Sequence, residues 1–136
     1  MSKPGNSAAE KRFRQLVGLG EGYLQSGKYS VALPFFQRAV VLRPNGAMAH
    51  HGIGLCLQAL GRFEEASKCH YLAGILDSKE PSFPMAAAQC YWARGYTRLA
   101  QRAVHEACRR MSPSTPPSLT NRITLLRDQL DRLNEG

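Results

Sequence analysis

No stretch of this chain approaches the roughly 18 apolar residues that a bilayer-spanning helix needs. Its first residues, Met1 to Arg12, contain no apolar core segment of the secretory-signal kind. Those two features point to a cytosolic protein that does not insert into membranes. The four cysteines, Cys56, Cys69, Cys90 and Cys108, include no Cys-x-x-Cys pair. The neighbours Cys69-His70 and His50-His51 match no standard zinc spacing, so no metal is expected. The one glycine cluster, Gly18-Leu19-Gly20-Glu21-Gly22, has no strand ahead of it, which removes the nucleotide-loop reading. No hydroxyl or thiol sits in a motif that ties it to a base, so neither catalysis nor a cofactor is expected. Acidic residues are also scarce, 10 against 18 Lys and Arg, for a net charge of +8. The basic residues are scattered and not interleaved with aromatics on one face. Nucleic acid is therefore not the expected partner, although a charge-driven adaptor remains open as a separate class.

What the chain does have is a period. Gly27, Gly61 and Gly95 lie 34 residues apart, and so do Ala32, Ala66 and Ala100, and Ala39, Ala73 and Ala107. Leu19/Ile53/Ala87, Gly20/Gly54/Ala88 and Tyr23/Leu57/Tyr91 keep the same step. Small residues at a 34-residue interval mark the tetratricopeptide repeat, a helix-turn-helix unit that stacks into a curved solenoid. Cys56 and Cys90 also share a repeat position, which suits small buried hydrophobes in a reducing compartment.

The fold class is therefore all-α: three repeats and a C-terminal capping helix. Residues 1–12 read as a flexible polar tail and 13–111 as the repeats (13–46, 47–80, 81–111). Residues 112–118 read as a Ser/Pro/Thr linker, and 119–136 as an amphipathic helix bearing Leu119, Ile123, Leu126, Leu130 and Leu133. That helix caps the apolar end of the stack. In the alternative arrangements it binds a partner, or folds back into the groove and turns the groove residues into core.

In such a solenoid the first helix of each repeat lines the concave face. The register puts Arg14, Val17, Glu21 and Leu24 there from repeat one, and Met48, His51, Leu55 and Gln58 from repeat two. Repeat three contributes Ser82, Met85, Gln89 and Trp92. Half of these are apolar, more than an unused solvent face should carry. The mixture predicts a groove for an extended apolar peptide, with Leu55, Met85 and Trp92 as central anchors. Glu21 would repel a carboxylate, so a clamp for an acidic C-terminal tail is not the expectation.

Gln25-Ser26-Gly27-Lys28-Tyr29, Gly52-Ile53-Gly54-Leu55-Cys56-Leu57-Gln58-Ala59-Leu60-Gly61 and Lys79-Glu80-Pro81-Ser82-Phe83-Pro84 with Ala87-Ala88-Gln89-Cys90 resemble the class II chaperones of bacterial type III secretion, the translocator chaperones. The likeness covers residues 13–111, and its most specific element is Lys-Glu-Pro-x-Phe-Pro. It implies a cytoplasmic chaperone that holds pore-forming translocators before export and takes a Pro-x-Leu-x-x-Pro-like client segment in its groove. It also implies a homodimer and, for some members, assistance to a transcriptional activator. A scaffold for a needle subunit or another secretion component is the nearest rival. Val17 and Glu21 stand where the family often has aromatics, and the family's segment ahead of the first repeat is longer.

Overall fold

The computed structural model describes residues 7–135. Its seven helices are α1 (Ala8–Gln25), α2 (Tyr29–Leu42), α3 (Ala47–Ala59), α4 (Phe63–Leu76), α5 (Ser82–Ala93), α6 (Thr97–Arg110) and α7 (Pro117–Glu135). They form three hairpins, α1/α2, α3/α4 and α5/α6, with α7 laid against α6. Each hairpin closes in the same way. Gly27, Gly61 and Gly95 have φ of 75°, 80° and 80°, the left-handed region where a Cβ is penalised. The next residue's N–H reaches back to the fifth carbonyl before it: Lys28 to Tyr23 at 2.9 Å, Arg62 to Leu57 at 2.8 Å and Tyr96 to Tyr91 at 2.9 Å. This is the six-to-one bond of a Schellman stop. Gly61→Val should therefore destabilise the fold by on the order of 2 kcal/mol, since a β-branched residue is strained at positive φ. An unchanged melting temperature would show that the turn tolerates a side chain.

The repeated alanines are the packing centres. Ala32, Ala39, Ala66, Ala73, Ala100 and Ala107 are all fully buried, which is what lets the paired backbones close on one another. Phe36, His70 and Val104 share one repeat position and are buried too. Repeat one thus fills that slot with an aromatic ring and repeat three with an aliphatic group, while repeat two buries an imidazole. Pro34 lies inside α2 on its exposed side and forfeits one helical bond.

Several expected boundaries move. The polar tail is shorter than 1–12, because Ser7 caps α1 by accepting a 3.0 Å bond from the Glu10 N–H; residues 1–6 lie outside the described residues. The connection after α6 is also shorter than 112–118, since α7 begins at Pro117, whose missing N–H is harmless in a first turn. In α7, Ile123, Leu126 and Leu130 are buried against Ala100, Val104 and Ala107 of α6, so the helix does cover the end of the stack. Leu133 leaves that stripe and is exposed. Leu19 is likewise half exposed, whereas its counterpart Ile53 packs on the core of the preceding hairpin.

Part of the positive charge is structural. The Arg110 guanidinium donates to the carbonyls of Gly74 (2.9 Å), Asp77 (3.0 Å) and Glu80 (3.1 Å), closing the C-terminal end of α4, and its Nε donates to Glu106. Arg43 pairs with Glu10, Arg62 with Glu65, Arg94 with Glu64 and Arg109 with Glu106.

Candidate functional site: the concave face

Helices α1, α3 and α5 form the inner layer, with α3 touching both of the others. Of the residues the register assigns to the groove, Leu24, Met48, Leu55 and Trp92 are partly or well exposed, Met48 at 46% and Trp92 at 37%. Glu21, His51, Gln58 and Gln89 are half-buried beside them, and Arg14 is exposed and pairs with Glu10.

Two assignments need correction. Met85 is 4% exposed and packs with Ile123, Leu126 and Leu130, because α7 leans over the third repeat and takes this side chain into its own core. It is not a free anchor. Val17, 9% exposed, belongs to the core of the first hairpin with Phe13, Leu16 and Phe36. What α7 removes it partly replaces. A cleft of about 500 Å³ opens between α5 and α7, lined by Gln89, Trp92, Arg122, Leu125 and the edge of Met85. Leu125 is exposed and points away from the capping stripe. It escaped the sequence reading because it falls outside the Leu119/Ile123/Leu126/Leu130 spacing.

The floor of the groove is polar and connected. His51 Nδ1 and His70 Nδ1 are 2.9 Å apart, His70 Nε2 donates to Gln58 Oε1 at 3.1 Å, and Gln58 Nε2 donates to Gln89 Oε1 at 3.4 Å. The His51 ring also rests on Phe83, with centroids 4.8 Å apart. Burial pushes the His51 imidazole down to about 4. His70 falls to about 3, through burial first and the neighbouring His51 second. Both rings are therefore neutral near pH 7. His70 reaches this floor from the second helix of its hairpin, and only its shared register with Phe36 and Val104 hinted that it was out of the ordinary. Gly54 makes the space, since a Cβ there would lie 2.5 Å from the His70 ring.

The cysteines are free thiols. Cys56 and Cys90 are buried, and burial raises them to about 11 and about 12, too high for useful thiolate chemistry. Among the described residues no group of three or more His, Cys, Asp or Glu is placed to hold a metal, and His50 instead donates to the Pro44 carbonyl at 2.7 Å.

Three hairpins in a 34-residue register, with a partly apolar inner face, define a tetratricopeptide-repeat solenoid. No protein-family model matches the chain. Low calcium response locus protein H of Yersinia pestis is 36% identical over 90 residues, covering 66% of this chain and 54% of that protein. The chain thus spans about half the length of the curated relatives it matches. The type III secretion translocator chaperone SycD of Yersinia enterocolitica is similar over 100% of this chain and 98% of its own, at 27% identity and a TM-score of 0.88. SycD in complex with a peptide of the translocator YopD gives 0.85, at 27% identity over 98% and 100% of the two chains. The chain is thus similar to translocator chaperones of type III secretion, in structure over its whole length, and to the low calcium response locus protein in sequence over 90 residues.

Proposed function

We propose that this chain is a bacterial cytoplasmic chaperone of type III secretion. It binds an extended apolar segment of a translocator in the concave groove and keeps that client soluble and competent for export. The observation that carries the reading is the end-to-end likeness to a chaperone solved with a translocator peptide, in a chain whose own groove leaves Leu24, Met48, Leu55 and Trp92 accessible. The chemistry is binding, not catalysis. A segment destined for a membrane aggregates in water because its apolar surface is better buried against itself than hydrated. A groove that covers this surface competes with aggregation at equilibrium and needs no ATP.

Co-expression with candidate translocators tests the reading, since the true clients become soluble only with the chaperone. Groove variants sharpen the test. Leu55→Glu should weaken client-peptide binding by about thirtyfold or more, because it removes an apolar anchor and adds a charge with no partner. Arg98→Glu on exposed α6 should leave binding within about twofold, as rim charges contribute little. Circular dichroism controls for folding. Normal binding by Leu55→Glu together with loss of binding in Arg98→Glu would replace the groove with an electrostatic adaptor.

A further inference from the structure

The hydrogen bonds on the groove floor form a chain with a direction, and the direction fixes what its two ends offer. Gln58 donates through Nε2 to Gln89, so its Oε1 is the atom that faces His70. An amide oxygen can only accept, so His70 carries its proton on Nε2. Neutral His70 then has a bare Nδ1, and the 2.9 Å contact is satisfied only if His51 donates from its own Nδ1. Neutral His51 is left with a lone pair on Nε2. At the other end, Gln89 uses Oε1 to accept and keeps both Nε2 hydrogens free.

Neither His51 Nε2 nor Gln89 Nε2 has a hydrogen bond among the described residues. No buried side-chain nitrogen or oxygen there lacks a partner, so neither atom is sealed from solvent. One acceptor and one donor thus stand at the two ends of this hydrogen-bonded chain, on α3 and α5, the inner-layer helices that also carry Leu55 and Trp92. An extended peptide presents the complementary pair, an N–H and a C=O.

We propose that His51 and Gln89 are specificity-determining residues that read the client's backbone: His51 Nε2 accepts one peptide N–H and Gln89 Nε2 donates to one peptide carbonyl. His70 and Gln58 are positioning residues that set this polarity from beneath. The inference rests on the chaperone reading and deepens it. Apolar contacts alone would let an extended segment slide along the groove, whereas a fixed acceptor and donor hold one register and one chain direction. The client residue over His51 must also have an N–H, so proline is excluded there while the anchors on either side tolerate many side chains.

Two measurements on the wild-type chain test this. Histidine nitrogen NMR at pH 7 should find the Nε2–H tautomer for His70 and the less common Nδ1–H tautomer for His51. Finding His51 protonated on Nε2 would reverse the polarity and overturn the assignment. The second probe is the YopD peptide that SycD binds, with each backbone N–H replaced in turn by an ester oxygen. One central ester should weaken binding about five- to tenfold, and this loss should vanish in His51→Phe. If every ester binds like the parent peptide, the backbone reading fails while the groove stands. If the unmodified peptide and other translocator segments do not bind at all, the chaperone reading itself falls, and this inference with it.

Discussion

Replacing Phe36 with alanine is expected to remove about 3–5 kcal/mol of stability, which for a chain of this size lowers the melting temperature by on the order of 15 °C. The ring is 1% exposed and sits between two helices that have given up their side chains to admit it. A Cβ at Gly20 of α1 would lie 2.7 Å from the ring, and one at Gly52 of α3 would lie 2.4 Å from it. Phe36 therefore joins its own hairpin to the next one, and its loss opens a cavity at the junction of the first two repeats. The same geometry makes Gly52→Ala destabilising on its own by about 1–3 kcal/mol, through overpacking. With Phe36 already removed, the new methyl enters vacant space. The double variant should thus be more stable than the sum of the two single losses predicts, by roughly 1 kcal/mol or more in a thermodynamic cycle. Strict additivity in urea unfolding would show that the ring does not span the two glycines.

The repeat was legible because its causes are local. A positive-φ stop requires glycine, and a close helix crossing requires alanine, wherever they fall in a hairpin. The 34-residue step of Gly27/Gly61/Gly95 and of the two alanine series therefore marks the turns and the packing centres in the sequence itself. The groove was only half legible. Register says which side of a helix a residue occupies, and three of the residues it assigned to the groove, His51, Gln58 and Gln89, are linked through His70 by hydrogen bonds. It cannot say what else lies on that side. Met85 was lost to the groove because α7, a nonrepeating element, packs on it, and the same helix supplies Leu125 and Arg122 to the cleft beside α5. His70 was hidden for a different reason. Its core position was in the pattern, but its partners His51 and Gln58 are 19 and 12 residues away on another helix, and no spacing rule connects them.

Acidification from pH 7 to pH 5 is expected to cost the native chain roughly 2–4 kcal/mol through two buried imidazoles. In the unfolded chain both titrate near 6.5, whereas burial in the fold holds His51 at about 4 and His70 at about 3. Between these values the unfolded state binds protons that the folded state refuses, so stability rises with pH there and falls as the medium is acidified. The contribution is complete above about 6.5 and is lost steadily as pH drops toward the folded values. At pH 5 each group is about 1.5 pH units below its unfolded value, or about 2 kcal/mol per imidazole. His70, fully enclosed, should deliver most of that, and the half-buried His51 less. Glu106 is held below its ordinary 4.5 by hydrogen bonds from Arg110 and then Arg109, so it adds its own acid loss only at lower pH. The interval from pH 7 to pH 5 therefore isolates the histidines. His70→Phe, which installs the residue repeat one already carries at this position, should lose about 2 kcal/mol less than wild type over the interval, whatever its stability at pH 7. The check is urea unfolding of both proteins at the two pH values. If the two lose equal stability, His70 is not the proton-refusing group, and the neutral pair beneath the groove is wrongly assigned.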